Sequence, residues 1–318
     1  MALTASRLGQ INATGSETAL FLKVWAGEVL TAFQEKNVMK PLHVIREVSS
    51  GKSAQFPATG KSSAAYHTPG TQISTSQIKH GEVTISLDYP LLDAVMVPDW
   101  DQLLNHYDYR SEYTTQLAAS LARHYDEMVL RLKSKAARAS ATISGADSGS
   151  QIEIGSNGGA LSDLTATNLI DGLFQAAEKL DKNDVPRDER YCVMDPAQYY
   201  LLVQGTVAQN RDFGGVGSIA SGSLPQIAGI NLMTSNNVPQ GSNLSSPSGA
   251  QNDYSLDATL TVAPVFHRSA TGTVQRQDVT METERKVDYQ SDLVVAKHLV
   301  GHGILRPESA MELILATA

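Results

Sequence analysis

The sequence has one cysteine, no long apolar run and no excess of basic charge. Each shortage removes a class of function. A lone Cys192 cannot build an intramolecular disulfide framework and fits a reduced compartment. It sits in the short apolar run RYCVMD, which reads as a buried strand carrying a structural thiol. No stretch reaches the roughly 20 apolar residues of a membrane-spanning helix. The opening residues, MALTASRLGQINATGS, lack the apolar core of a signal peptide. The expectation is a soluble chain, made in the cytosol, without a membrane partner. With 33 acidic and 25 basic residues the net charge is -8, which argues against a dedicated nucleic-acid grip.

Catalytic patterns are missing as well. There is no H-E-x-x-H, and Gly217-Ser218 and Ser221-Gly222 lack the spacing of G-x-S-x-G. The glycines of 214–222 have no dinucleotide-binding helix after them, because Pro225 comes too soon. Asp99 and Asp101 suit helix capping better than acid–base work. His298 and His302 are four apart, a metal-ligand spacing on a helix, but Gly301 and Gly303 flank His302 and the run before it reads as a strand. Gly51-Lys52-Ser53, within EVSSGKSAQFP, spells the end of a phosphate-binding loop. Arg46 stands where that loop needs its first glycine, and Phe56-Pro57 follows where a helix should open. The stretch reads as a solvated turn leading into an extended arm. No enzyme activity, cofactor or metal is expected.

What is present is unusual in its proportions. At 318 residues, 42% hydrophobic, the chain can fill two modest domains. Residues 17–34 read as an amphipathic helix, with Leu20, Phe21, Val24, Trp25, Leu30 and Phe33 mostly on one side. Residues 48–97 begin poor in large apolar side chains and end with Val83, Ile85 and Leu87 in alternation, which suggests a long two-stranded excursion without a core of its own. From Asp99 to about Ala139 no glycine or proline interrupts a helical pattern, with Leu117, Leu121, Tyr125, Met128 and Leu132 on one face and Asp99 as its cap. Lys133, Lys135 and Arg138 crowd its C-terminal end, where cations suit the dipole. That helix would be about 55 Å long.

A glycine- and serine-rich joint, ISGADSGSQIEIGSNGGALSD, follows. Beyond it, Thr167 is a candidate cap for a helix with Leu169, Leu173, Ala177 and Leu180 on one face. Pro196 starts another helix, and residues 161–240 read as a small α/β layer. The remainder is β-rich, with Val279 and Met281 alternating, Leu293-Val294-Val295 as a strand and Met311–Leu315 closing the chain. Uncored arms imply a homo-oligomer with interlaced interfaces.

Several stretches, in order along nearly the whole chain, resemble one family. They are ALFLKVWAGEVLTAF (19–33), SSGKSAQFP (49–57), NHYDYRSEYTTQLAASLA (105–122), FHRSATGTV (266–274) and GHGILRPESA (301–310). The chain resembles the major capsid proteins of T7-like tailed bacteriophages (podoviruses), with the match weakest over roughly 140–255. The resemblance implies the HK97-like capsid fold, an α+β architecture. Residues 1–47 would be the N-terminal arm and 48–97 the extended hairpin called the E-loop. Residues 98–140, with the long spine helix, and 255–318 would be the peripheral domain, and 141–254 the axial domain.

The implied function is self-assembly, through hexamers and pentamers, into an icosahedral head enclosing double-stranded DNA without sequence specificity. Scaffolding and portal proteins would be partners, the host cytoplasm the place of assembly and the virion the destination. The acidic balance would suit an inner wall past which packaged DNA slides. Assembly-contact candidates are Leu20, Phe21 and Trp25 on the arm, and Lys52 and Lys61 on the hairpin. Some capsids of this fold crosslink lysine to asparagine, but no local motif for that reaction accompanies Lys52, Lys61 or Lys79, and the T7-like branch is not expected to use it. Tyr109, Arg110 and Glu112 would order the start of the spine, and Arg268, Arg276 and Arg285 are candidate inter-subunit ion-pair partners. Two alternatives are an encapsulin-type compartment shell of the same fold and a small hydrolase whose site the sequence hides.

Overall fold

The computed structural model describes residues 38–62, 64–73, 75, 77–104, 109–155, 160–205 and 224–316. The strands begin with β1 (Val44–Glu47), β2 (Ser53–Thr59), β3 (His80–Ser86) and β4 (Leu91–Pro98). Two helices follow, α1 (Asp99–Leu104) and α2 (Tyr109–Arg138). The central part holds β5 (Ser150–Ile154), α3 (Ala166–Lys182), β6 (Arg190–Met194), α4 (Pro196–Gln204), β7 (Gln226–Ile227), β8 (Ile230–Thr234) and β9 (Gly241–Leu244). The chain closes with β10 (Leu256–Ala258), β11 (Thr261–His267), β12 (Thr271–Lys286), β13 (Ser291–Ile304) and β14 (Ala310–Leu315).

The described chain divides into two compact units. One comprises Tyr89–Tyr125 and Arg276–Val300; the other comprises Val38–Asp88, Asp126–Gln275 and Gly301–Ala318. In the first, β4 pairs antiparallel with β13, from Leu91 opposite His298 to Pro98 opposite Ser291. Leu117 and Leu121 of α2 bury themselves on Ala296, with Leu91, Val95 and Val294 around them. Residues 91–97 were expected in the two-stranded excursion; their apolar alternation instead supplies a strand to this sheet. Asp99 is the first residue of α1 and not its cap, because the guanidinium of Arg285 takes its carboxylate. Val279 and Met281 do lie on a strand, but both are exposed.

In the second unit a six-stranded sheet runs in the order β5-β14-β11-β6-β8-β7. Its second strand, β14, lies between β5 and β11 and is buried at every residue. Helix α3 covers it with Leu169, Leu173 and Leu180, each fully buried on the face that the spacing predicts. Gly172 lets the helix sit close: a Cβ there would stand 2.7 Å from the Ile154 side chain. The cap of α3 is Thr165, whose hydroxyl accepts the Asn168 N–H at 3.3 Å; Thr167 already lies in the first turn. Pro196 lies in the first turn of α4, as the sequence suggested, and Asp195 caps it. Cys192 is buried on β6, and burial pushes its thiol well above the usual range, so it is a packing residue.

Helix α2 is 30 residues, about 45 Å. The expected continuous helix from Asp99 is helical at 99–104 and 109–138, with 105–108 outside the described residues. Its five apolar positions are all buried. The expected cationic end is not a solvated one. Lys133 is fully buried, with its Nζ 4.0 Å from the centre of the Phe266 ring. Lys135 pairs with Asp253, and Arg138 forks onto the buried Glu312 at 2.7 and 2.9 Å.

Candidate functional site

For a chain read as a shell subunit, the site is the set of elements able to reach another copy. The hairpin comes first. β2 and β3 pair antiparallel from Ser53 opposite Ser86 to Thr59 opposite His80. The turn before it uses Gly51 at φ 106°, a conformation that favours glycine. Arg46, which the phosphate-loop pattern could not accommodate, donates to the Gln55 carbonyl at 2.6 Å and lies over the Phe56 ring at 5.5 Å. The inner end of the hairpin is packed: Ala54, Ile85 and Val274 are buried together, with Phe56, Val83, Leu87 and Leu305 against them. The expectation of an uncored excursion therefore holds only for the outer part. There Tyr66 and Ile73 are exposed.

A continuous polar chain lies beneath the hairpin's base. Asp88 accepts the N–H groups of Gln251 and Asn252 at 2.7 and 3.1 Å and the hydroxyl of Tyr254. The Tyr254 oxygen accepts the backbone N–H of His302 at 3.1 Å. The His302 ring meets the Thr273 hydroxyl at 2.7 Å, which meets His43 Nε2 at 2.7 Å, and His43 Nδ1 lies 2.7 Å from the Met39 carbonyl. A carbonyl only accepts, so Nδ1 of His43 carries the proton. Burial keeps His43 neutral, so its Nε2 accepts from Thr273, whose one hydroxyl proton is thereby used, and Thr273 accepts from Nδ1–H of His302. Donation runs outward from His302 in two directions, through Thr273 and His43 to the Met39 carbonyl and through Tyr254 to Asp88. Burial first, then the charge of Lys133, lowers His43 to about 3, against the raising effect of its bond to Met39.

The residues around His43 form a strap. The Asp126 carboxylate accepts the N–H groups of Val38 and Met39 at 2.9 and 3.1 Å. Met39 and Leu42 are buried, and Lys133 reaches the Leu42 carbonyl at 3.4 Å. Everything N-terminal of the strap is outside the described residues, Leu20, Phe21 and Trp25 included. Sequence reasoning did not single out His43, Thr273, Tyr254 or Asp126. A histidine between Leu42 and Val44 was the one available signal.

The remaining candidates are scattered. The backbones of Tyr109, Arg110 and Glu112 open α2; their side chains lie outside what is described. Lys52 and Arg276 are exposed. Arg268 pairs with Glu189 at 2.9 Å and donates to the His43 carbonyl at 3.4 Å. Arg285 pairs with Asp99, and with Asp292 at 3.3 Å. Lys61 bridges Asp147 at 2.9 Å and Asp184 at 3.1 Å, and these two carboxylates hold its ammonium above the usual lysine range. So Lys61, Arg268 and Arg285 satisfy their charge within the chain. His298 stacks on Tyr125 in the first unit, while His302 serves the polar chain of the second. Among the described residues no group of three histidine, cysteine or acidic side chains has metal-binding geometry.

Comparison with known proteins decides what this arrangement belongs to. The family described as Gp10A-like, major capsid protein, matches residues 55–314. The chain belongs to this family of phage major capsid proteins. It is 34% identical to the major capsid protein of Escherichia phage T7 over 94% of this chain and 92% of that protein. With the major capsid protein of Enterobacteria phage T3 it shares 32% identity over 96% and 94%. Among solved structures, the capsid of Cyanophage P-SCSP1u covers both chains completely at 41% identity and a TM-score of 0.85. The mature capsid of bacteriophage PhiM1 agrees in fold, with a TM-score of 0.78 at 20% identity over 93% and 92%. The fold is the HK97-like phage capsid fold, and the capsid protein is a structural component of the virion shell, not an enzyme. These relatives are phage capsid proteins, which does not favour the encapsulin-type or the hydrolase alternative.

Proposed function

We propose that this capsid protein assembles through hexamers and pentamers into an icosahedral head around double-stranded DNA. Assembly takes place in the host cytoplasm on a scaffolding protein, with a portal protein at one vertex. The hairpin within residues 48–97 acts as the E-loop that reaches a neighbouring subunit, with 1–47 as the arm, 98–140 and 255–318 as the peripheral domain and 141–254 as the axial domain. The observation that carries this reading is the outer hairpin. Tyr66, Ile73 and Ile78 are exposed there, beyond the last ladder pair. Apolar side chains on an unladdered ribbon gain order only against another surface. Val279, Met281, Val287 and Tyr289, exposed on β12 and just after it, are a second surface of this kind. Leu20, Phe21, Trp25, Lys52, Tyr109, Arg110, Glu112 and Arg276 remain contact candidates.

Electron microscopy of the purified chain, alone and co-expressed with its scaffolding protein, tests the reading. Uniform round shells with the scaffold, and tubes or irregular shells without it, are expected. A stable monomer under both conditions would refute it.

A further inference from the structure

The shoulder of the hairpin rests on the glycine- and serine-rich joint after α2. Gly60 N–H donates to the Lys79 carbonyl at 2.8 Å, and among the described residues no ladder bond lies beyond that rung. Here the ribbon is pressed flat. A Cβ on Gly81 would stand 3.3 Å from Ile143, and one on Gly60 would stand 3.3 Å from the Lys79 carbonyl and 3.7 Å from that of Ser144. Lys79 Nζ donates to the Ser144 hydroxyl at 3.0 Å. The joint itself is pinned, because Gly149 N–H donates to the Ala139 carbonyl at 3.1 Å and a Cβ on Gly149 would overlap the Ala136 carbonyl.

Lys61, one residue past the rung, reaches two carboxylates from two different segments. Asp147 lies in the joint. Asp184 follows α3 in a left-handed conformation, φ 59°, which aspartate tolerates. Their oxygens, 2.9 and 3.1 Å from one nitrogen, are no more than 6.0 Å apart. Without the ammonium they face each other as like charges. A cavity of about 250 Å³, also lined by His267, Ser269 and Glu308, opens beside them, so the bridge stands in solvent and is reversible.

We propose that Lys61 is the positioning residue that sets the direction in which the hairpin leaves the body. Its bridge to Asp147 and Asp184 docks the shoulder on the joint, and its release lets the outer hairpin swing about Gly60 and Gly81 while the inner ladder stays closed. The consequence for the shell rests on the reading of the hairpin as the element that reaches a neighbour; the clamp itself does not.

The test uses the unassembled full chain with nitroxide labels at His67→Cys and Asp188→Cys; Cys192 is buried and does not label. Double electron–electron resonance should give one narrow distance distribution for the parent and for Lys61→Arg. Lys61→Met, and the double variant Asp147→Asn/Asp184→Asn, should lower the ratio of docked to undocked hairpin about five-fold, what an exposed ion pair at the top of its usual range supports. Sodium chloride at about 1 M should move the parent the same way. The amide of Gly60 should stay slow to exchange throughout. A Lys61→Met distribution equal to the parent's, or one that broadens only together with exchange across β2 and β3, overturns the clamp. If the distribution broadens and Lys61→Met still forms shells like the parent's, the clamp stands and the neighbour-contact reading falls.

Discussion

Strand β14 and the strands of the hairpin have similar lengths and opposite surroundings. Every one of the six residues of β14 is buried, whereas β2 and β3 bury one residue each, Ala54 and Ile85. β14 draws its order from four directions: β5 and β11 on its edges, α3 on its face, and Arg138 on its one charge, Glu312. The hairpin has a packed inner end, a shoulder resting on the joint after α2, and exposed apolar side chains beyond. The two regions show what a shell subunit separates. On the proposed reading, one part folds by itself and the other keeps apolar surface for a neighbouring copy to cover.

The sharpest way to break this contrast is to damage the closed part. Leu313 is fully buried among the residues of the six-stranded sheet and α3. Leu313→Ala should cost about 3–4 kcal/mol of unfolding free energy, lost methyl contacts and residual cavity together. Denaturant titration of the unassembled chain reads it directly. A loss under about 1 kcal/mol would mean that the sheet is not the independent core described here.

Acid comes next. His43 is lowered to about 3 in the folded chain from an ordinary 6.5, so the unfolded state takes the proton first. Stability is therefore complete above about pH 6.5 and falls as pH drops toward 3, by about 1.4 kcal/mol per unit in between. From pH 6.5 to 4.5 the loss should be roughly 2–3 kcal/mol. His267, lowered mainly by burial and only partly buried, adds a smaller share in the same direction. His43→Gln should flatten the slope whatever it does to stability at neutral pH. An unchanged slope would show that His43 is not held neutral in its buried site. Thr273→Val is the milder cut: it leaves His43 Nε2 and His302 Nδ1 without their shared partner and should cost about 1–3 kcal/mol at pH 7.5.

These two regions also differ in how well the sequence foretold them. Leu169, Leu173 and Leu180 repeat at helical spacing, and Met311–Leu315 is an apolar run broken only by Glu312, so the closed core was legible from pattern alone. Family membership was legible because five separated stretches agreed in order. The polar chain was not. Asp88, Tyr254, His302, Thr273 and His43 lie far apart in sequence, and their meaning comes from a carbonyl at Met39 that no residue pattern marks. Lys133 read as an end-cation suited to the helix dipole for the same reason: its burial under Phe266 is a tertiary fact. Arg268 and Arg285 read as free for a neighbour because their partners, Glu189 and Asp99, arrive from other elements.

The smallest effect on the chain is the one that most sharpens the comparison. Tyr66 and Ile73 are exposed on the outer hairpin and touch no core. Tyr66→Ser with Ile73→Ser should change the unfolding free energy of the unassembled chain by no more than about 0.5 kcal/mol, as surface substitutions do. The same double variant should fail to form closed shells, because each side chain it removes is one that a neighbour would bury. Leu313→Ala in a shell, once folded, should show the reverse: weakened subunits that still assemble at low temperature. If instead the hairpin variant loses stability as a monomer, its outer half is packed on its own chain. The division between a self-sufficient core and a surface reserved for another copy would then be wrong.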